Sequence, residues 1–213
     1  MIFFLLLNSL NSIDQSKMLI IYFTRTGNTE IFSDYIKELS NITSYKIVPT
    51  TPYPQDYNQM LTIAREEQSN GARPEIQNPL TDISKYDNIL LGYPLWFSHL
   101  PNIVITQLEK LNFTNKNIYP FNTHGGSGVG SSLNDIKQYA KGANVKNGFP
   151  ITGDSVRNNK EDSIEKIEDW LYDNFDIEAD ISDETIEDIN TNSNSIGNIA
   201  FKYLSLIGLL LFF

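Results

Sequence analysis

Three short stretches carry the residues best suited to chemistry. The first is Thr24, Arg25, Thr26, Gly27, Asn28 and Thr29, a polar turn between an apolar run and a segment of helical spacing. A helix N-terminus presents unpaired backbone N–H groups and a partial positive charge, so such a turn suits a phosphate. Threonine and asparagine side chains add hydrogen bonds without bulk, and Gly27 lets the backbone approach an anion closely. The turn is neither GxxxxGK[ST] nor GxGxxG, because no lysine follows the glycine and the spacing differs. An ordinary strand-to-helix turn with a Thr or Asn cap would carry the same residues.

The second stretch runs from residue 92 to residue 101 and reads GYPLWFSHLP. Rings gathered at a strand end are costly to expose without a partner. A planar aromatic ligand stacked there would contribute about 0.5–1.5 kcal/mol beyond its area burial. An aromatic cap on the core is the competing reading. The third stretch is Thr123, His124, Gly125, Gly126, Ser127, Gly128, Val129 and Gly130. Its glycines allow the backbone to wrap the hydrogen-bonding edge of a flat ligand. A flexible turn before a helix would have the same composition. A lone loop histidine such as His124 is more often a contact or cap than a catalyst, so no catalytic residue is assigned.

The elements that must position these loops alternate along the chain. Residues 18–23 (MLIIYF) form a continuous apolar run, as expected of a strand covered on both faces. Ile31, Phe32, Tyr35, Ile36 and Leu39 recur at helical spacing. Further strands are expected at residues 44–48, 88–92, 117–122 and 144–149. Helices are expected at 57–68, 102–111, 131–139 and 162–175, with prolines 49, 52 and 54 enforcing an extended loop. Alternating strands and helices predict a doubly wound α/β fold with a parallel sheet, and its five strands match the known doubly wound order 2-1-3-4-5. In such sheets a ligand sits beyond the carboxyl ends of the strands, where the strand order reverses. The three loops follow strands one, three and four.

Composition narrows the classes. The 213 residues are enough for one full-sized domain. A net charge of −10 repels a nucleic-acid backbone, so no nucleic-acid partner is expected. The chain has no cysteine and two histidines, His99 and His124. Disulfides, iron–sulfur clusters, thiol catalysis and multi-histidine metal sites are thereby excluded, and no metal ligand is assigned.

Taken jointly, the runs YFTRTGNT, YDNILLGYPLWF and PFNTHGGSG resemble the short-chain flavodoxins, over roughly residues 18–175. The resemblance implies a flavodoxin-like three-layer fold and one non-covalently bound flavin mononucleotide (FMN). By it, Thr24, Arg25, Thr26, Gly27, Asn28 and Thr29 would hold the phosphate. Pro94, Leu95, Trp96 and Phe97 would cover the ring. Thr123, His124, Gly125, Gly126 and Gly128 would line its pyrimidine edge. Phe97 stands where many relatives carry a second tryptophan.

Three functions follow as expectations. The first is an electron carrier that serves a redox partner protein. The second is an FMN-dependent oxidoreductase that passes electrons from NAD(P)H to a small acceptor such as a quinone. The third is a membrane-tethered module that keeps the fold without redox work. The ends depart from the family. Residues 1–17 read as a short secretory signal or as an N-terminal extension, the apolar run at 2–7 lacking a preceding Lys or Arg. Residues 176–195 read as an acidic and polar linker. Residues 196–213 are mostly apolar with Lys202 as their one charge, which predicts membrane association through this tail with entry by the secretory pathway, a cytoplasmic location being the alternative.

Overall fold

The computed structural model describes residues 14–175, and among them the expected alternation is present. Strand β1 (Met18–Tyr22) leads to helix α1 (Asn28–Glu38), then β2 (Thr43–Lys46) and α2 (Tyr57–Asn70). Next come β3 (Asn88–Pro94), α3 (Asn102–Leu108), β4 (Asn117–His124) and α4 (Ser132–Tyr139). The chain continues through β5 (Asn144–Val145), β6 (Phe149–Thr152), α5 (Gly153–Asn158) and α6 (Lys160–Phe175). All strand pairs are parallel, in the order β2-β1-β3-β4-β5, with β6 also on β4.

The apolar run of β1 is buried throughout, because both faces of the sheet are covered. Alternate side chains feed two cores. Leu19, Ile21, Phe23, Ile89, Leu91, Tyr93 and Ile118 face α3 and α4, where Ile103, Val104 and Ile136 meet them. Met18, Ile20, Tyr22, Leu90, Tyr119 and Phe121 face the other way, onto Phe32 and Ile36 of α1 and Ile167, Trp170 and Leu171 of α6. Three layers result. Gly92 lets β3 pass close to its neighbours: a Cβ there would collide with the Phe121 ring and sit 2.9 Å from the Tyr22 Cβ.

The fifth strand differs from the expected continuous run over 144–149. It is broken into β5 and β6, and both pieces pair with β4. Val145 lies opposite Ile118 and Phe149 opposite Phe121, so residues 146–148 face only residues 119–120. One residue is therefore inserted, a β-bulge. A one-residue slip flips side chains across the sheet. Here it places Phe149 on the α1–α6 side, stacked on Trp170 at 5.2 Å and edge-on to Phe32 at 5.5 Å. The strand then runs to Thr152, whose side chain accepts the Ser155 N–H and starts α5, a helix the apolar pattern did not announce.

Among the described residues no helix is long and apolar enough to cross a membrane. Of the expected signal or extension at 1–17, residues 1–13 lie outside the described residues, as do the linker at 176–195 and the apolar tail at 196–213.

Candidate functional site

All three loops leave the carboxyl ends of β1, β3 and β4, and they touch one another. The order reverses between β1 and β3, which is where a ligand crevice forms in such sheets.

After the Phe23 N–H bonds the Gly92 carbonyl at 3.0 Å, the first loop turns away from the sheet. The Gly27 N–H donates to Thr24 Oγ1 at 3.0 Å. Gly27 sits at φ +91°, a left-handed conformation that glycine adopts without the Cβ clash, and α1 begins at the next residue. The first bond of α1 runs from the Ile31 N–H to the Gly27 carbonyl at 2.9 Å. The N–H groups of Asn28, Thr29 and Glu30 are consequently unpaired within the helix. The Glu30 carboxylate is drawn to the Lys46 ammonium of β2 at 2.6 Å, which offsets its charge beside this turn. Thr29 is buried, and its hydroxyl meets that of Thr123 at 2.9 Å, tying the first loop to the third.

Two arginines brace this loop. Arg25 turns its guanidinium onto backbone carbonyls ahead of α2: Nη2 donates to Pro54 and to Gln55, each at 2.7 Å. Its side chain, expected at a phosphate, is engaged in a clasp on residues 54–55. Arg157 arrives from α5. Its Nη2 donates to the Thr26 carbonyl at 2.8 Å and to Asn28 Oδ1 at 2.6 Å, and its Nε to the same Oδ1 at 3.1 Å. Gly153, at the start of α5, permits this approach, since a Cβ there would collide with the Asn28 amide nitrogen.

The second loop is a tight hairpin. Pro94 pairs with Thr123 across the sheet, and the Leu95 N–H donates to the Thr123 carbonyl at 2.9 Å. Trp96 and His99 then exchange both backbone hydrogen bonds, at 3.1 and 2.9 Å. Between them Phe97 and Ser98 sit at φ +49° and +66°. Two residues of positive φ form a turn that normally selects Asn-Gly, and each side chain costs about 1–2 kcal/mol there. Neighbours hold the turn in place. Asp135 of α4 accepts the Leu100 N–H at 3.0 Å and lies 3.0 Å from His99 Nδ1. The Ser131 N–H donates to the Ser98 carbonyl at 2.6 Å. Gly130 fits beneath, where a Cβ would come 2.6 Å from that carbonyl oxygen. Trp96 is half-buried, edge-on to Phe23 at 5.6 Å and to Tyr53 at 5.0 Å, and the Arg65 guanidinium lies 4.9 Å over the Phe97 ring.

The third loop hangs from Asn122, a fully buried side chain whose Nδ2 donates to the Gly128 carbonyl at 2.9 Å. Its Oδ1 has no hydrogen-bond partner among the described residues. Gly126 and Gly128 take φ +131° and +60°, and Gly125 is exposed. The Gly126 N–H donates to His124 Nδ1 at 2.8 Å. Burial pushes the His124 imidazole below its ordinary value, so at pH 7 it is neutral and can accept that bond. It acts as a strut of the loop.

The structure thus brings together Thr24, Thr26, Gly27, Asn28 and Thr29 with Pro94–Phe97 and Thr123–Gly128, and it turns the Arg25 side chain aside. Sequence reasoning missed Tyr53, Asn122, Asp135 and Arg157. Only Asn122 left a trace, as the polar residue that directly follows the apolar run at 118–121. The residues present fit an FMN: unpaired N–H groups and hydroxyls for a phosphate, rings for a planar system, and an open glycine backbone with an orphaned buried amide oxygen beneath it. No group of acidic or histidine side chains suited to a metal ion occurs among the described residues.

Comparison with solved structures finds close folds. A candidate flavoprotein of Bacteroides uniformis is 27% identical at a TM-score of 0.63, covering 73% of this chain and 97% of its own. One from Bacteroides eggerthii is 28% identical at 0.61, covering 76% and 99%. A flavoprotein of Lactobacillus acidophilus, solved in complex with FMN, is 25% identical at 0.55, covering 68% and 97%. No match is found among the curated proteins. A flavodoxin family model matches residues 17–168. With the sheet order, the three converging loops and this match, the chain belongs to the flavodoxin family.

Proposed function

We propose that this chain binds one FMN at the crevice between β1 and β3 and works as an electron carrier for a redox partner protein. The reading rests on one observation: three loops suited to a phosphate, a planar ring and a hydrogen-bonding rim meet at the point where strand order reverses. Family membership and the FMN complex of the Lactobacillus acidophilus flavoprotein support the choice of ligand.

The N-terminus of α1, with Thr24, Thr26, Asn28 and Thr29, would hold the phosphate. Pro94, Leu95, Trp96 and Phe97 would cover the ring and exclude water from it. Thr123, His124, Gly125, Gly126 and Gly128 would meet its polar rim through backbone N–H and C=O groups. Bound FMN supplies the redox chemistry, while the protein supplies binding, orientation and electrostatics.

The carrier reading is favoured over a reductase by what the loops contain. None of the three has an Asp, Glu or Lys. Of the two histidines, His124 is committed to the Gly126 N–H and His99 faces Asp135. A carrier needs no general acid or base of its own. The full chain, incubated with FMN and desalted, should retain a flavin spectrum that dithionite bleaches. It should not sustain NAD(P)H oxidation with a quinone. A colourless, folded protein defeats the FMN reading, whereas steady quinone turnover replaces the carrier by a reductase.

A further inference from the structure

The structure assigns Arg157 a part in FMN recognition: we propose that it positions Asn28 and the Thr26–Asn28 backbone for the phosphate, acting through Asn28. This rests on the FMN reading above and adds a residue to it.

Arg157 offers only donors, so whatever faces it must accept. Two of its nitrogens converge on Asn28 Oδ1, at 2.6 and 3.1 Å, and one reaches the Thr26 carbonyl at 2.8 Å. The amide of Asn28 is thereby oriented. Its oxygen is consumed, which leaves Nδ2, the end that lies against Gly153, to donate to an anion. An unrestrained asparagine could present either end, and its oxygen would repel a phosphate. The Thr26 carbonyl is occupied in the same way, which removes a second acceptor from an anion site. Fork-shaped, charge-assisted contacts of this kind add geometric definition as well as energy.

The local chain serves the arrangement. The bulge at 146–148 sets the register that brings β6 to Thr152, Thr152 caps α5, and Gly153 leaves the space that Asn28 fills. Arg157 lies one helical turn past Gly153, on the Asn28 side. Arg25, the cation within the loop itself, is held by Pro54 and Gln55. Of the two guanidinium groups, that of residue 157 meets the Thr26 and Asn28 acceptors, while that of residue 25 faces Pro54 and Gln55.

A double-mutant cycle tests this in the full chain. FMN affinity is measured by fluorescence quenching for wild type, Arg157→Ala, Asn28→Ala and the double variant, with thermal unfolding of each apo form alongside. Arg157→Ala should weaken FMN about tenfold, the scale of a charge-assisted hydrogen bond. In the Asn28→Ala background the same change should cost far less, since the intermediary is gone. FMN affinity within twofold of wild type for Arg157→Ala, or fully additive losses in the cycle, overturns the proposal. Asn28→Asp is the second probe: it keeps a partner for Arg157 but removes the donor and adds a charge, so FMN affinity should fall at least tenfold. Wild-type affinity in that variant also overturns the proposal. Failure of wild type itself to bind FMN is a different result, and it strikes the function rather than the role of Arg157.

Discussion

The two ends of the site are held by different physics. At the first loop, the proposed phosphate end, the backbone is relaxed apart from Gly27, and order comes from charged side chains reaching across long stretches of chain. At the second loop, the proposed ring end, the backbone itself is strained, with Phe97 and Ser98 both at positive φ, and order comes from close packing over Gly130 and from Asp135. The phosphate end can therefore lose a contact and relax into solvent. The ring end cannot, because its turn is stable only while its neighbours over-determine it.

Gly130→Ala is the most direct way to break the comparison. It adds a side chain at φ +52° and drives it into the Ser98 backbone, so stability should drop by about 3 kcal/mol in chemical denaturation. An unchanged midpoint would mean that the ring end is as compliant as the other. Arg25→Ala removes the clasp on residues 54–55 at a half-buried site, and should cost about 1 kcal/mol with the unfolding transition otherwise normal. A loss equal to that of Gly130→Ala would erase the distinction.

Ser98→Gly sharpens it with the opposite sign. Relief of one left-handed side chain should raise stability by somewhat under 1 kcal/mol, after the added freedom of the unfolded chain is subtracted. Destabilisation would show that the Ser98 side chain matters more than its backbone. The smallest effect concerns pH. His124 is held below its ordinary value of 6.5 by burial, so the unfolded chain binds a proton more readily than the folded one. Its contribution is complete above about pH 6.5 and declines as pH falls toward the folded value. His124→Asn keeps an acceptor for the Gly126 N–H and does not titrate. Stability of that variant should be flatter over this range, and an unaltered pH profile would remove His124 as the source.

Local pattern alone determined the frame. Continuous apolar strands, helical spacing and glycine-rich turns announced the parallel sheet and the three loops at its carboxyl edge, because each is written in neighbouring residues, whereas the strand order came from matching five such strands to a known doubly wound order. Thr29 and Thr123 illustrate how far this reaches: each was legible as part of a loop, but their contact was not. The bulge in the fifth strand was hidden because residues 144–149 keep strand-like character while one residue is set aside by pairing with β4. Helix α5 was hidden because it is a short turn capped from β6, with little apolar spacing to reveal it. Arginine side chains were the least legible. Arg25 and Arg157 are long, and which carbonyl each meets depends on what the fold brings within reach, across 29 residues for one and 129 for the other. Local preference placed the loops at the crevice, but only the packed sheet decided which carbonyls each arginine beside the first loop meets.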